Sequence, residues 1–242
     1  CHRIGVFFTP VNWHLHRDEI AYIVENSDAK VLVAHGRFAA DAEPVARGAG
    51  GLTRRFSVAG EIPGFVRLEE AVADVPADLG LDDPLEGSVM LYSSGTTGRP
   101  KGVRRPLSGR PSGDPAVALA VTALCHLFGI TESDRYLTPA PLYHAAPLTF
   151  TQAQMRIGST SVVMRRFDPE QALRLIADYR ITASQWVPTH FRRLLQLPEE
   201  VRARYDVSSL RVAIHAAAPC PIPLKEAMIA WWGDAVVEYY AG

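Results

Sequence analysis

The sequence predicts an α/β fold in which mainly parallel sheets are flanked by helices. Short runs of β-branched and other apolar residues recur along the chain, and segments with helical spacing of apolar residues separate them. This alternation is typical of units in which a helix connects two parallel strands. With 242 residues, of which 48% are hydrophobic, the chain is long enough to bury a core.

The strands are predicted where β-branched or apolar residues cluster between turn-forming residues. In chain order, the predicted strands are 4–8, 30–34, 55–58, 88–92, 136–138, 160–164, 183–187, 212–214 and 235–238.

The first predicted helix, 18–26, separates the first two of these strands. Its apolar stripe consists of Ile20, Ile23 and Val24. Further along, Pro, Gly and Ser predict a long exposed loop over 102–115, and a helix over 116–128 follows it.

A later helix has favourable chemistry at its start. Asp168 can cap it, Pro169 suits the first helical position, and Gln171 stands three residues after the cap. The stripe predicted to face the core consists of Ala172, Leu175, Ile176 and Tyr179.

Composition excludes several classes of protein. The formal net charge is -1, whereas nucleic-acid-binding domains are usually strongly basic, so we expect no nucleic-acid partner. No run approaches the roughly 18 apolar residues of a membrane span, and the N-terminus lacks the layout of a signal peptide. We therefore expect no membrane span and a cytoplasmic protein.

The cysteines predict neither disulfides nor a metal site. Cys1, Cys125 and Cys220 stand far apart and form no C-x-x-C pair. We expect isolated reduced thiols.

The stretch YSSGTTGRPKGV, residues 92–103, has the composition of a phosphate-binding loop. Its glycines, Gly102 included, let the backbone approach a ligand, and its hydroxyl and N–H groups can surround an anion. Lys101 adds a positive charge for phosphate oxygens. The Walker A pattern fails, because Pro100 stands at the sixth position from Gly95 and Gly102 follows the lysine.

The order of residues in YSSGTTGRPKG resembles the phosphate-binding signature of the adenylate-forming enzymes, the superfamily of acyl-CoA synthetases, peptide-synthetase adenylation domains and luciferases. Other stretches resemble further motifs of this superfamily in the same order: GVFFTPVNWHLHRDEIAYIVENSDAKVLVA, PLYHAAPL, IHAAAPCP and EYYAG. HAAAPCP and the basic insertion after Gly102 are most similar to bacterial acyl-CoA synthetases of the fatty-acid and steroid-acid type.

The resemblance implies a role for each matching residue. The residues that match the phosphate-binding positions are Ser93, Ser94, Gly95, Thr96, Thr97, Gly98 and Lys101. Those that match the adenine-facing positions are Ala217, Ala218, Pro219 and Tyr240, and Ala241 replaces the family's next glycine. Those expected to contact the acid are His144, Trp186 and His215, and the catalytic set is Thr97, Lys101 and His144.

The resemblance also implies the fold, the reaction and the extent of the match. We expect part of an acetyl-CoA-synthetase-like large domain that activates a hydrophobic carboxylic acid with ATP, releases pyrophosphate and transfers the acyl group to coenzyme A. The Mg²⁺-binding glutamate, the ribose aspartate and the C-terminal lysine of the family have no counterpart among these residues. We therefore expect residues 1–242 to belong to the N-terminal adenylation domain, without its first strands and without the C-terminal domain, and to be inactive alone.

Two other functions are compatible with the motifs: an adenylation domain that loads a carrier protein, and a non-catalytic nucleotide-binding remnant. The basic cluster after the signature also has two interpretations, an anion-binding surface for phosphates or coenzyme A and a solvated basic loop. This cluster consists of Arg99, Lys101, Arg104, Arg105 and Arg110.

Overall fold

The computed structural model describes residues 1–76, 78–93 and 99–240. It confirms an α/β fold with mainly parallel sheets and flanking helices. The chain forms two compact units, Cys1–Asp114 and Pro115–Gly242.

The first unit contains three small sheets and short helices. Its strands are β1 (Phe7–Phe8), β2 (Val31–His35), β3 (Arg54–Val58), β4 (Val66–Arg67), β5 (Ser88–Val89), β6 (Leu91–Ser93) and β7 (Lys101–Val103). Its helices are α1 (Arg17–Asn26), α2 (Ala39–Gly48) and α3 (Leu68–Ala71). Strands β2, β3 and β4 are parallel, as are β1 and β5, whereas β6 and β7 are antiparallel.

Three predictions for this unit were wrong in part. The predicted strand 88–92 is divided into β5 and β6, which belong to different sheets, and Met90 between them donates its N–H to the carbonyl of Phe8 at 3.0 Å. The predicted loop 102–115 begins within strand β7, because pairing with β6 gives these residues partners that the local sequence does not reveal. Strand β1 is also shorter than predicted.

Helix α2 is not among the elements that the sequence predicts, and Pro44 stands inside it. A proline has no N–H to offer the carbonyl four residues earlier. Here that carbonyl belongs to Ala40, and the guanidinium of Arg17 on α1 donates to it at 3.0 Å. The same guanidinium forms an ion pair with Asp41 at 3.2 Å. A contact from another helix thus compensates for the missing backbone bond.

The second unit is built around a five-stranded sheet in the order β12-β11-β10-β8-β9, and its described pairings are all parallel. Its strands are β8 (Arg135–Thr138), β9 (Thr160–Val163), β10 (Ala183–Trp186), β11 (Val212–His215) and β12 (Val236–Glu238). Its helices are α4 (Pro115–Leu127), α5 (Ala145–Ile157), α6 (Pro169–Tyr179), α7 (Pro188–Leu195), α8 (Glu199–Arg202) and α9 (Ile222–Trp232).

Both faces of this sheet are covered. Every residue of β10 and β11 is buried, and alternate residues belong to two separate apolar clusters. Trp186 and Ala213 lie in one cluster, whereas Ala183 and Ile214 lie in the other. Burial on both faces is typical of parallel sheets with helices on each side. Among the described residues, no helix combines the length and the apolar character needed to cross a membrane.

Helix α6 starts as predicted. The carboxylate of Asp168 accepts a hydrogen bond from the N–H of Gln171 at 2.8 Å, and Pro169 is the first helical residue. The predicted stripe needs one correction, because Leu173 is fully buried whereas Tyr179, the last residue of the helix, is 50% exposed. A side chain at the end of a helix has fewer neighbours to cover it.

The buried carboxylate of Asp134 connects the segments just before strands β8, β10 and β11. Asp134, which is 6% exposed, accepts hydrogen bonds from the N–H of Thr131 at 2.7 Å and from the hydroxyl of Thr182 at 2.6 Å. It also pairs with Arg211 at 2.9 Å. Burial alone would raise the pKa of Asp134, but these hydrogen bonds and the guanidinium together lower it. This edge of the sheet therefore contributes to stability.

His190 on α7 makes the stability of this unit depend on pH. Its ring centroid lies 4.1 Å from that of Phe167, and burial, with a smaller contribution from Arg193, lowers its pKa from 6.5 to about 4. The unfolded chain then binds more protons than the folded chain between these values, so we expect stability to fall as the pH drops from 6.5 towards 4. Urea unfolding at several pH values measures this effect.

The matched control for this experiment is a histidine exposed to solvent. His190→Gln should flatten the decrease between pH 6.5 and pH 4, whereas His14→Gln should leave it unchanged. An unaltered pH dependence in His190→Gln would contradict the assignment.

Candidate functional site

Most residues predicted to contact adenine or the acid lie at one edge of the second unit. Parallel strands present their carboxyl ends at the same edge of a sheet, where ligands of α/β proteins bind. Trp186 and His215 are the last residues of β10 and β11, and His144 and Tyr240 follow β8 and β12. The segment 217–219 directly follows β11. The structure thus brings these predicted residues to a common edge.

The segment after β11 leaves the sheet abruptly. The N–H of Ala216 still donates to the carbonyl of Trp186 at 3.3 Å, and Ala216 is buried. Ala217 then adopts a φ of 73°, a region that residues with a Cβ rarely occupy. Ala217, Ala218 and Pro219 are all exposed. The turn therefore presents backbone groups to solvent, and nothing in the local sequence predicted its strained conformation.

The two tyrosines after β12 have opposite environments. Tyr239 donates its N–H to the carbonyl of His215 at 3.2 Å, and its ring centroid lies 5.9 Å from that of Phe128 and 6.2 Å from that of Phe150. Tyr240 is 95% exposed. Tyr239 therefore anchors this segment to the second unit, and stacking of Tyr240 on a base stays a prediction. Ala241 lies outside the described residues.

Trp186 and His215 are fully buried in this structure. The indole N–H of Trp186 donates to the hydroxyl of Ser184 at 2.5 Å. The ring of His215 lies 5.3 Å from that of Phe191, and within the described part of the chain neither of its ring nitrogens has a hydrogen-bond partner. Contact of Trp186 and His215 with an acid stays a prediction.

An ion pair that the sequence did not reveal stands beside His215. Lys225 on α9 donates to Glu238 at the end of β12, and Oε1 of Glu238 lies 3.9 Å from Nδ1 of His215. Burial lowers the pKa of His215, and the nearby carboxylate only partly opposes this effect. His215 is therefore neutral near pH 7.

His144 occupies the residue just before helix α5. Its backbone is extended, with φ -89° and ψ 149°, and the carbonyl accepts the N–H of Leu148 at 3.2 Å. The side chain is exposed, and its ring centroid lies 4.6 Å from that of Tyr143. This placement leaves the imidazole accessible at the edge that the strands define.

The phosphate-binding signature lies in the first unit and is described in part. Ser93 on β6 and Lys101 on β7 are directly paired, and both are exposed. The hydroxyl and the ammonium group therefore extend from adjacent positions of the antiparallel β6–β7 pair. The remaining predicted phosphate ligands, Ser94, Gly95, Thr96, Thr97 and Gly98, lie outside the described residues.

Gly102 is needed for a contact within the chain. A Cβ at this position would stand 2.9 Å from Cζ of Tyr92 and 2.6 Å from Cε of Met90. The side chains opposite Gly102 thus occupy the space that any larger residue needs. Gly102 therefore leaves room for the Tyr92 ring, and approach of a ligand to its backbone stays a prediction.

The basic cluster is partly packed. The guanidinium of Arg99 lies 5.4 Å from the ring of Tyr22, and that of Arg104 lies 4.5 Å from the ring of Phe7. Arg110 forms an ion pair with Asp114 at 3.1 Å. These three arginines contact neighbouring side chains but remain exposed, so both interpretations of the cluster stay open.

No set of three or more His, Cys, Asp and Glu side chains in residues 1–76, 78–93 and 99–240 is arranged to hold a metal ion. Cys1, Cys125 and Cys220 are free, and burial raises the pKa of the Cys125 thiol to about 11. Such a thiol remains protonated and unreactive near neutral pH.

Known proteins are similar to this chain in sequence and in fold. The chain is 33% identical over 227 residues to the feruloyl-CoA synthase of an Amycolatopsis species, a match that covers 93% of the chain and 42% of that protein. It is 28% identical over 248 residues to the long-chain-fatty-acid–CoA ligase FadD13 of Mycobacterium tuberculosis, with 99% and 45% covered. The chain thus spans less than half of the length of these relatives.

A solved structure extends the likeness to the fold. The amide bond synthetase McbA of Marinactinospora thermotolerans superposes with a TM-score of 0.82 at 24% identity, covering 99% of this chain and 46% of that protein. A sequence profile described as AMP-binding enzyme matches residues 1–241. The chain therefore belongs to the AMP-binding enzyme family, which confirms the resemblance to adenylate-forming enzymes.

Proposed function

We propose that the protein containing these residues is an ATP-dependent acyl-CoA ligase of the AMP-forming type. The carboxylate attacks the α-phosphate of ATP, which releases pyrophosphate and leaves an acyl adenylate. The thiol of coenzyme A then attacks the acyl carbon and displaces AMP. The observation that carries the proposal is the direct pairing of Ser93 with Lys101, which aligns both ends of the phosphate-binding signature.

The charge of Lys101 and the backbone of the signature would hold the β- and γ-phosphates. Lys101 is exposed, so its ammonium group can approach phosphate oxygens without first breaking a buried contact. Thr97 and the other signature residues are proposed for the same task. Mg²⁺ bound to ATP would neutralise the charge that develops on pyrophosphate.

The adenine is assigned to the exposed segment 217–219 and to Tyr240. An exposed aromatic ring can stack on a base, and an exposed backbone offers N–H and carbonyl groups to its edge. The positive φ of Ala217 supports the assignment, because strained backbone is concentrated at functional sites.

The acid is proposed to be a hydrophobic small molecule, with His144 near its carboxylate and Trp186 and His215 beside its apolar part. Trp186 itself is buried among apolar rings, which include Phe191 and Trp232. The choice of a hydrophobic acid is supported by the relatives, whose names include a long-chain fatty acid and a feruloyl group.

A panel of carboxylic acids tests the proposed function. Purified protein that extends beyond these residues to the length of its relatives is incubated with ATP, Mg²⁺ and each acid, and pyrophosphate release is measured. We expect release with alkyl, aryl or steroid acids and a thioester when coenzyme A is added. Pyrophosphate release with acetate or amino acids only would contradict the proposal that the substrate is hydrophobic. Transfer of the acyl group only to a carrier protein would contradict the proposal that coenzyme A is the acceptor.

The isolated chain of residues 1–242 provides an internal comparison. We propose that it binds nucleotide weakly and releases no measurable pyrophosphate. A rate near that of the longer protein would overturn this part of the proposal.

A further inference from the structure

Helix α1 contacts the β6–β7 pair at two points. The hydroxyl of Tyr92 on β6 donates to Oδ1 of Asn26 at 2.7 Å, and the guanidinium of Arg99, just before β7, lies 5.4 Å from the ring of Tyr22. Tyr22 and Asn26 are four residues apart and therefore share one face of the helix. One helix face thus contacts the chain on both sides of residues 94–98.

We propose that Tyr22 and Asn26 are positioning residues for triphosphate binding. They set the orientation of the β6–β7 pair and, through it, of Ser93 and Lys101. This inference rests on the proposed function, because it assumes that the β6–β7 pair binds the β- and γ-phosphates of ATP.

Packing of Tyr92 makes the contact with Asn26 specific. Tyr92 is paired with Gly102 across the two strands, and its ring occupies the space where a Cβ of residue 102 would stand. Because the ring lies against β7, its hydroxyl is directed to a defined point. Burial, and to a lesser extent Tyr22, raises the pKa of Tyr92, so the phenol stays protonated and donates to Asn26.

The contact with Arg99 acts from the other side. The positive guanidinium of Arg99 is attracted to the face of the Tyr22 ring. Arg99 stands two residues before Lys101, and Tyr92 stands next to Ser93. Each anchor is therefore close in the chain to one of the two paired residues that would contact phosphate.

Comparison of two nucleotides distinguishes positioning from general support of the fold. ATP carries the β- and γ-phosphates that the β6–β7 pair is proposed to bind, whereas AMP lacks them. Loss of the anchors should weaken ATP binding and spare AMP binding. A role limited to folding would weaken both equally or lower the thermal stability without changing their ratio.

The experiment measures the Kd of ATP and of AMP for the longer protein by isothermal titration, with the ATP KM of acyl-adenylate formation as a second readout. Tyr92→Phe and Asn26→Ala each remove the hydrogen bond, and we expect each to raise the Kd and KM of ATP about threefold to tenfold, the range that one hydrogen bond contributes. The Kd of AMP should not change. Tyr22→Leu should have a similar effect, and Tyr22→Phe, which keeps the ring, should restore wild-type values.

A double variant and a control complete the test. Tyr92→Phe combined with Asn26→Ala should be no worse than the weaker-binding single variant, because both remove one interaction. Tyr179→Phe, a change at a half-exposed tyrosine of α6, should have no effect. Additive losses, equal losses of affinity for ATP and AMP, or no loss for ATP would each overturn the positioning role.

A wild-type protein that binds ATP but forms no acyl adenylate would refute the proposed function alone, since the contrast between ATP and AMP needs no turnover. A wild-type protein that does not bind ATP would overturn both.

Discussion

Replacing Lys101 with methionine is expected to lower kcat/KM for ATP about 100-fold to 1000-fold, the range seen when one preorganised group is removed from a developing negative charge. Lys101 stands at the start of β7, directly opposite Ser93, and its side chain is exposed. Methionine keeps the length of the side chain and removes the charge. Acid-dependent exchange of pyrophosphate into ATP by the longer protein measures the loss.

Two further variants define what Lys101 does. Lys30→Met removes an exposed lysine that pairs with Asp28 at 2.6 Å, and it should leave the exchange rate unchanged. Lys101→Arg retains the charge and should preserve part of the activity, because guanidinium also binds phosphate. Wild-type exchange in Lys101→Met would remove this residue from the phosphate site.

Replacing Trp186 with alanine is expected to lower the free energy of unfolding by about 3–5 kcal/mol, as is usual for loss of a large buried aromatic side chain. Trp186 is fully buried, with a solvent exposure of 0%. Its ring centroid lies 5.3 Å from that of Trp232 and 6.2 Å from that of Phe191. Alanine would leave a cavity where these rings meet. Urea unfolding followed by far-ultraviolet circular dichroism measures the change.

The chain offers a matched control for this substitution. Trp13 is 47% exposed, so Trp13→Ala should cost much less stability than Trp186→Ala. Equal effects would show that Trp186 is not a core residue. A third variant, Trp186→Phe, retains much of the aromatic packing. Comparison of its stability with its affinity for the acid separates a contribution to acid binding from a contribution to folding.

The strands of the five-stranded sheet were predictable because apolar or β-branched residues cluster in them between turn-forming residues. Such local clusters stand out in a sequence without knowledge of their neighbours. The observed strands β8 to β12 differ from the predicted ranges by one residue at an end. The start of α6 was also predictable, since Asp168 caps its own helix three residues away.

The elements that the sequence did not predict depend on distant partners. Helix α2 contains Pro44 and is completed by Arg17 of another helix. Strand β7 exists because β6 lies beside it, and the short pairs of the first unit divide a continuous apolar run between two sheets. The intrinsic preference of a residue for helix or strand does not depend on distant partners, so local patterns could not predict the boundaries of these elements.

By itself, the sequence determined the α/β class, the order of the motifs and the family, because these depend on residues that are close along the chain. Only the tertiary structure decided that Trp186 and His215 are buried while Tyr240 is exposed, and that Tyr22 and Asn26 face the β6–β7 pair. Burial and contact are set by segments far apart in sequence. The exposure of a side chain is therefore decided by what packs around it and not by its own type.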